Sequence, residues 1–240
     1  MKERGMIFNG EMVRAILDGR KTQTRREVKL NLDIACLATT YDWAASLAAN
    51  HYQGLTEEQI QQKAESLRGV IHPVILGNGQ MVSIICPHGK PGDRIWVRET
   101  FAALEPGSYE QVKPQEGHCQ NLRYAATDRL AKSDADIRGY KWVSSIHMPR
   151  WASRILLEIT DVRVGQLNAI SEEDATAEGV PPAGGLLPDY PGTFLTPKGD
   201  FATAKVAFQR LWESIYGEES WKANGWVWVI SFKRVEGGAA

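Results

Sequence analysis

Short strand-like runs, separated by helical and loop stretches, limit most strongly how this chain can fold. The runs lie at 6–8, 94–100, 155–164 and 226–235. Alternation of apolar and polar residues, clearest in the second run, is typical of half-buried strands. No dinucleotide-binding or P-loop glycine pattern accompanies the runs, which disfavours a nucleotide-binding α/β sheet. We therefore predict an α+β architecture, a small β-barrel flanked by helices.

A dense basic segment follows the first predicted helix. Residues Gly19-Arg20-Lys21-Thr22-Gln23-Thr24-Arg25-Arg26 carry four positive charges and two hydroxyl groups in eight positions. Asn9 suits the N-cap of the helix, because its side-chain oxygen can accept from the amides of the first turn. Gly19 suits the end of the helix, where a left-handed backbone favours glycine. We therefore expect residues 20–26 to leave a docked helix as an anchored loop.

Lys21 and Thr24 are three residues apart and could converge on one point if this segment forms a turn. A lysine that is desolvated or close to other cations, here Arg20, Arg25 and Arg26, loses its proton more readily. Such a lysine can take the proton of a threonine hydroxyl and make the hydroxyl a nucleophile. The alternative is an ordinary basic surface loop, in which the same side chains are solvated.

Glu178 stands in the last turn of a helix that Ser171 is predicted to open. A carboxylate there opposes the helix dipole, so its position is locally unfavourable. Residues 172–174 are also acidic, but they lie at the N-terminus of this helix, where negative charge is stabilising. A residue that is locally unfavourable for the helix in this way is more often kept for a functional reason than by chance.

Two further residues lie next to predicted strands. Glu99 falls on the apolar side of the run 94–100, and an inward carboxylate must be paired or hydrogen-bonded. We expect its partner in the basic segment, so that Glu99 is either a counter-ion for an arginine or a contact for the substrate. Trp151 follows Arg150 beside a turn fixed by Pro149 and could line a pocket the size of a nucleobase. Packing of Trp151 on the rim of the barrel is the alternative.

The pattern Gly-Arg-Lys-Thr-x-Thr-x-Arg after a short helix resembles the ASCH domain family, whose fold is PUA-like. Within that family it is most similar to the N4-acetylcytidine amidohydrolase branch. Three more stretches, 92–97, 157–178 and 228–233, occur in the family's order. We interpret the chain as a single domain, 1–240, with a helical insertion at 31–70 and a loop or lid insertion at 101–145. In the helical insertion, an alanine-rich stretch at 41–49 and a capping box that begins at Thr56 predict two helices. After it, the turn Gly77-Asn78-Gly79 predicts a hairpin over 70–86.

The resemblance implies an amidohydrolase that removes an acyl group from the exocyclic amine of cytosine, converting N4-acetylcytidine to cytidine and acetate. It implies that Lys21 is the general base, Thr24 the nucleophile and Glu178 the catalytic carboxylate. Equally, Glu178 could activate water while Thr24 orients the substrate. Substrate contacts are expected from Arg20, Arg26, Glu99 and Trp151. This chemistry requires no metal and no organic cofactor.

The composition limits the classes of protein to which the chain can belong. Lys and Arg number 28 against 29 Asp and Glu, so the chain as a whole has no attraction for nucleic acid. No apolar run is long enough for a bilayer and no secretory leader is recognisable. Three cysteines, Cys36, Cys86 and Cys119, form no disulfide pattern, and we expect a cytoplasmic protein. The pairs Cys86/His88 and His118/Cys119 match no zinc signature, so no metal site is predicted.

Other functions remain open from the sequence. PUA-like folds commonly hold RNA, so an RNA-binding module or a ribonuclease could use the same basic cleft. An interaction protein that binds its partner through the 31–70 insertion is a third possibility. The expected partners are a modified cytidine nucleoside or a short RNA, without a membrane.

Overall fold

The fold is mixed α+β, as predicted, and the computed structural model of the protein describes residues 1–29, 32–38, 54–108, 110–113 and 121–235. The strands are β1 (Glu3–Ile7), β2 (Gln23–Glu27), β3 (Ile34–Leu37), β4 (His72–Leu76), β5 (Met81–Ile84), β6 (Arg94–Arg98), β7 (Phe101–Leu104), β8 (Asn121–Tyr124), β9 (Leu156–Gln166), β10 (Phe194–Leu195), β11 (Phe201–Ala202) and β12 (Trp226–Arg234). The helices are α1 (Gly10–Leu17), α2 (Glu57–Ser66), α3 (Ala135–Arg138), α4 (Glu172–Ala177), α5 (Ala204–Tyr216) and α6 (Glu218–Lys222). Short 3-10 turns occur at Ser145–His147, Arg150–Ala152, Leu167–Ala169 and Gly184–Leu186.

The largest sheet has five strands in the order β1-β6-β9-β12-β2. β1 runs parallel to β6, and the other three pairs are antiparallel. β1 and β2 are the two ends of the sheet, and in the described part of the chain no ladder of backbone hydrogen bonds joins them. The Arg26 guanidinium connects them instead, since its Nη2 donates to the Ile7 carbonyl at 2.7 Å.

Two hydrophobic cores lie on opposite faces of this sheet, because successive side chains of a strand point to opposite sides. Trp228 and Ile230 of β12 face one core together with Val13 of α1. Val229 faces the other core, where Phe208 of α5 packs. α1 and α5 therefore pack on opposite faces of the sheet and approach each other past its end strand β2, where Met12 and Leu211 line the same spaces.

The start of the chain follows its local signals. The Asn9 side chain accepts from the Met12 amide at 2.8 Å, which confirms the predicted N-cap of α1. Gly19 has a φ of +74° and ends the helix as expected. The Lys21 amide then donates to the Ala15 carbonyl at 2.9 Å. This bond turns the chain back along α1 and aims the following residues at the edge of the sheet.

The two predicted insertions contain regular elements. α2 is opened by a capping box between Thr56 and Gln59, as predicted, and the hairpin predicted for 70–86 is formed by β4 and β5. The helix predicted at 41–49 lies outside the described residues. The range 101–145 holds the hairpin β7–β8 and α3 rather than loop alone. Within the described ranges, no helix has the length and the apolar character needed to cross a membrane.

Candidate active site

Residues 23–26 of the basic segment belong to a strand and not to the loop that was predicted for 20–26. Residues Gln23–Glu27 pair with β12, with Thr24 opposite Ile230 and Arg25 opposite Val229. Directly opposed residues of an antiparallel pair share a face. Arg25 therefore points to the core that contains α5, while Thr24 points to the face that contains α1.

Lys21 and Glu178 meet in the interior. The Lys21 ammonium donates to Glu178 Oε2 at 2.8 Å and to the Glu178 backbone carbonyl at 2.8 Å. The Lys21 side chain is 0% exposed and the Glu178 side chain is 3% exposed. The backbones of the two residues also form an isolated antiparallel bridge, so the contact is fixed by main chain as well as by charge.

The carboxylate of Glu178 has a second cationic partner. Arg25 donates through Nη1 to Glu178 Oε1 at 3.0 Å and to Gln23 Oε1 at 2.7 Å. Its Nη2 donates to Asp174 Oδ2 at 2.8 Å, and Arg163 also binds Asp174 at 2.6 Å. The negative charge at the end of α4, unfavourable for that helix alone, is thus compensated by two buried cations of the basic segment.

Burial dominates the electrostatics of Lys21. Removal from water lowers the pKa of its ammonium below the ordinary value; Glu178 opposes this effect, while Arg26 and Arg25 add to it. The sequence predicted suppression by three arginines, but Arg20 is not among the groups that shift this pKa. Arg20 is engaged elsewhere, since it donates to the Gly179 carbonyl at 2.9 Å and to Asp18 at 3.1 Å.

Thr24 lies near this pair without joining it. Thr24 is 2% exposed, and among the described residues no hydrogen bond connects its hydroxyl with Lys21 or Glu178. Thr24 and Glu178 nevertheless border one narrow crevice of about 10 Å³, which Arg26 and Tyr216 also line. Because β2 is the last strand of the sheet, side chains from both of its faces reach this crevice along the free edge.

A wider cleft of about 420 Å³ adjoins the crevice. Glu178 and Met12 border both spaces. The cleft has apolar walls from α5 and from 180–181, and Arg20 with Thr196 supplies polar groups. This volume lies in the range of small-molecule sites, so the cleft is large enough for a nucleobase.

The predicted substrate residues fall in different places. Arg20 lines the wide cleft, and Arg26 lines the crevice. Glu99 does not pair with the basic segment as expected. Its carboxylate receives two hydrogen bonds from Arg154, at 2.9 and 3.0 Å. Trp151 packs in a cluster with Phe101, outside the lining of both spaces.

No metal centre accompanies these groups in the described residues. Within them, no cluster of three or more His, Cys, Asp and Glu side chains could hold an ion. Cys86 is buried, and burial raises the pKa of its thiol. His118 and Cys119, the other pair considered from the sequence, lie outside the described residues.

The chain was also compared with known proteins. The comparisons with family models, with curated proteins and with solved structures gave no match. The chemistry of the site therefore has to be inferred from its own residues.

Sequence reasoning missed Gln23 and Arg163 as members of the site, and it placed Asp174 only at the helix N-terminus. All three complete the network around Arg25. The signal was present, because Gln23 and Arg25 are two residues apart and share a face once the segment is a strand. It was obscured by the assignment of the segment to a loop.

Proposed function

We propose that the protein is an amidohydrolase that deacylates N4-acylated cytosine nucleosides, with Lys21, Glu178 and Thr24 as its reactive groups. One observation carries the proposal. A fully buried lysine lies 2.8 Å from the buried carboxylate of Glu178, and Glu178 is one of the residues that line a cleft of about 420 Å³. The resemblance of the basic segment to the ASCH family supports the choice of substrate.

The wide cleft can bind the acylated base. Its apolar side chains, among them Leu195 and Leu211, can cover the faces of a pyrimidine, and Arg20 can donate to a carbonyl oxygen. A base in this position brings the amide on its exocyclic nitrogen toward Glu178. The guanidinium of Arg25, already bonded to Glu178, adds positive charge close to where an oxyanion would form.

Hydrolysis breaks the bond between the acyl carbon and the exocyclic nitrogen. A nucleophile adds to the carbonyl carbon, the tetrahedral oxyanion collapses, and the nitrogen leaves as the free amine after it takes a proton. Lys21 and Glu178 handle these protons, and burial lowers the pKa of Lys21, which makes its ammonium a better proton donor. One water is consumed, and cytidine and a carboxylate are the products.

Two nucleophiles fit the geometry. Thr24 borders the same crevice as Glu178, and the lysine would have to turn from Glu178 toward Thr24 to take the proton of its hydroxyl. Water activated by Glu178 is the other nucleophile, in which case Thr24 orients the amide. Mass spectrometry of the protein quenched during turnover separates them, since only the first route leaves an acyl group on Thr24.

The decisive experiment is incubation of the protein with N4-acetylcytidine while ultraviolet absorbance and released acetate are followed. Lys21→Met and Glu178→Gln should each lower kcat/KM by about 10²–10⁴-fold, the usual contribution of general acid–base groups. Glu173→Gln is the matched control, because this exposed glutamate sits on the same helix away from the cleft. No hydrolysis by the native protein, or full activity of Lys21→Met, would overturn the proposal.

A PUA-like barrel is the fold that we propose for the five-stranded sheet. Its support is the 2.7 Å hydrogen bond from the Arg26 side chain to the Ile7 carbonyl, which links the two end strands. The segment 31–70, which contains β3 and α2, and the segment 101–145 are then insertions into one domain.

A second candidate function is an RNA-binding module or a ribonuclease that uses the same basic segment. The position of Arg20 and Arg26 on the rims of two separate spaces favours it, because a row of cations suits a chain of phosphates. Retention of RNA without release of acetate would support the module. Cleavage of RNA that stops with a chelator would indicate a metal-dependent nuclease.

A further inference from the structure

A third space, which we call the basic cleft, opens between the two end strands of the large sheet. It has a volume of about 420 Å³ and is lined by residues that include Arg26, Lys29, His88, Arg98 and Tyr216. Gly5 to Ile7 of β1 form one wall, and Arg26 and Glu27 of β2 form the opposite wall. Of its lining residues, Arg26 and Tyr216 also border the crevice of the site proposed above.

The cations of the basic cleft are not neutralised. Among the described residues, Arg26, Lys29 and Arg98 have no carboxylate within 4.0 Å. Glu27 is the one acidic residue in the lining that is described. The lining therefore keeps a net positive charge, and buried or partly buried charge of one sign is usually matched by a ligand or a partner.

Neutral oxygens hold the two arginines in place. Arg26 donates to the Ile7 carbonyl at 2.7 Å and to the Tyr216 hydroxyl at 3.4 Å, and its buried Nε has no partner among the described residues. Arg98 donates to the carbonyls of Ser145 and Ile146. These contacts fix the orientation of both guanidinium groups and leave their charge available for an anion.

His88, in the wall of the cleft, is affected by burial and by the charge of Arg26. Burial, together with the charges of Arg26 and Arg4, lowers the pKa of His88 to about 4. The imidazole is therefore neutral at pH 7 and can donate one hydrogen bond to an oxyanion without adding charge. Tyr216, 38% exposed at the end of α5, adds an aromatic surface at the rim.

The basic cleft adjoins the narrow crevice beside the reactive groups. Arg26 and Tyr216 line both the basic cleft and the narrow crevice that Thr24 and Glu178 border. The wide cleft lies on the other side of that crevice, with which it shares Met12 and Glu178. The three spaces thus follow one another in the order wide cleft, crevice and basic cleft.

We infer that the basic cleft binds a phosphate group of the substrate, so that the natural substrate is a phosphorylated cytosine compound rather than the free nucleoside. Arg26, Lys29 and Arg98 supply the positive charge, and His88 supplies a neutral donor. The identity of the base rests on the proposed amidohydrolase function, whereas the preference for phosphate does not. The phosphate belongs either to the nucleotide itself or to the next residue of a short RNA.

Calorimetric titrations separate these sources without requiring turnover. Cytidine, cytidine 5′-monophosphate and a cytidine trinucleotide are compared at low and at physiological salt. We expect the phosphorylated ligands to bind at least about tenfold more tightly than cytidine, with an advantage that falls as salt is raised. A gain with the monophosphate indicates the nucleotide's own phosphate, and a gain with the trinucleotide alone indicates a phosphodiester of RNA.

Two variants and one control locate the effect. Lys29→Gln and Arg98→Gln should each reduce the advantage of the phosphorylated ligand and lower the salt slope by about 0.7 per lost contact. Lys141→Gln removes an exposed lysine outside the basic cleft and should change neither. Lys29 is exposed, so its variant stays informative if Arg98→Gln does not fold.

The outcomes distinguish this inference from the proposed function. Equal affinity for cytidine and both phosphorylated ligands, or absence of measurable binding to all three, overturns the phosphate site. An advantage that survives both variants unchanged also overturns it. A phosphate advantage that Lys29→Gln reduces, in a protein that releases no acetate from any N4-acetylcytosine compound, supports the phosphate site and refutes only the amidohydrolase.

Discussion

Lys21 and Glu178 are 157 positions apart in the chain, yet the ammonium of one lies 2.8 Å from the carboxylate of the other. Each residue is unfavourable by itself, because a buried lysine loses its hydration and a carboxylate at a helix C-terminus opposes the dipole. Together with Arg25 they form a buried cluster in which one carboxylate serves two cations. The stability of the protein and its proposed chemistry therefore depend on the same atoms.

The first prediction concerns the asymmetry of this cluster. Glu178→Gln should lower the free energy of unfolding by about 3–5 kcal/mol, since it leaves two buried cations without their carboxylate. Lys21→Met should cost no more than about 2 kcal/mol, because Glu178 keeps Arg25 as its partner and an unbranched apolar side chain suits a dry site. Denaturant unfolding of both variants measures the difference.

The double variant Lys21→Met/Glu178→Gln is the control for the same cluster. Its loss in free energy of unfolding should be smaller than the sum of the two single losses. The reason is that Glu178→Gln leaves Lys21 buried without a counter-ion, and the double variant no longer contains that lysine. Additive losses, or a larger loss for Lys21→Met than for Glu178→Gln, would contradict a buried ion pair as the main interaction.

The second prediction concerns His88. Its pKa in the folded protein is about 4, against an ordinary value of 6.5. Between these values the unfolded chain binds a proton that the folded protein does not, so unfolding becomes easier as pH falls from about 6.5 to about 4 and no further below that. Nuclear magnetic resonance titration of the imidazole, identified through His88→Gln, measures the pKa directly.

Two results would test the cause of this shift. Arg26→Gln should move the His88 titration toward higher pH, since the Arg26 charge contributes to the lowering. In His88→Gln the part of the acid instability that lies in this pH window should disappear. A midpoint for His88 near 6.5 in the native protein would show that the wall of the basic cleft is neither buried nor positive.

The third prediction settles the two roles considered for Glu99. Its carboxylate is 3% exposed and is held by Arg154, whose guanidinium stacks 4.0 Å above the Tyr124 ring. Glu99→Gln should therefore reduce the free energy of unfolding by about 1–3 kcal/mol and leave kcat/KM for N4-acetylcytidine unchanged. A fall in kcat/KM without a loss of stability would make Glu99 a substrate contact instead.

Glu158→Gln is the matched comparison for Glu99. Glu158 forms an ion pair with Lys233 at 2.9 Å, but the lysine side chain is 63% exposed. Exposed pairs contribute about 0–1 kcal/mol. The midpoint of thermal unfolding should therefore be clearly lower for Glu99→Gln than for Glu158→Gln.

The sequence predicted those parts of the fold that depend on neighbouring residues. The caps at Asn9, Thr56 and Ser171 were identified correctly, because each side chain reaches an amide only three residues away. The hairpin β4–β5 was identified for the same reason, since its turn is built from Gly77-Asn78-Gly79. Nothing beyond local geometry is needed for these features.

The strand β2 escaped prediction for a physical reason. Its residues, Gln-Thr-Arg-Arg-Glu, contain no apolar side chain, so the period of two that marks a half-buried strand is absent. The strand can be buried because Gln23 and Arg25 are hydrogen-bonded to acidic side chains of α4. An element whose buried face is built from ion pairs cannot be found by hydrophobic periodicity.

The partner of Glu99 could not be found from sequence either. A buried carboxylate requires a cationic or hydrogen-bonding partner, and the basic segment, with four cations in eight residues, was the partner that the sequence suggested. The strand pairing of β6 with β9 decided otherwise, because it brings Arg154 beside Glu99 although the two are 55 positions apart. Charge complementarity restricts the type of partner, and only the topology selects the residue.

The last prediction uses Gly179, which directly follows Glu178. Its φ is +85°, and a Cβ added there would lie 2.7 Å from the Lys21 Cβ and 2.9 Å from the Ala15 Cβ. Gly179→Ala should therefore displace Lys21 from Glu178 in addition to straining the backbone. We expect a loss of more than about 3 kcal/mol in the free energy of unfolding, together with a fall in kcat/KM.

Gly19→Ala separates these two effects. Gly19 has a comparable φ of +74° and is the first residue of the basic segment, but an added Cβ would meet no atom of the described residues within 4 Å. Its substitution should cost only the strain of the left-handed backbone, about 1–2 kcal/mol, and leave kcat/KM unchanged. If both alanine variants lose the same stability and activity, the close approach of Gly179 to Lys21 is not what holds the lysine against Glu178.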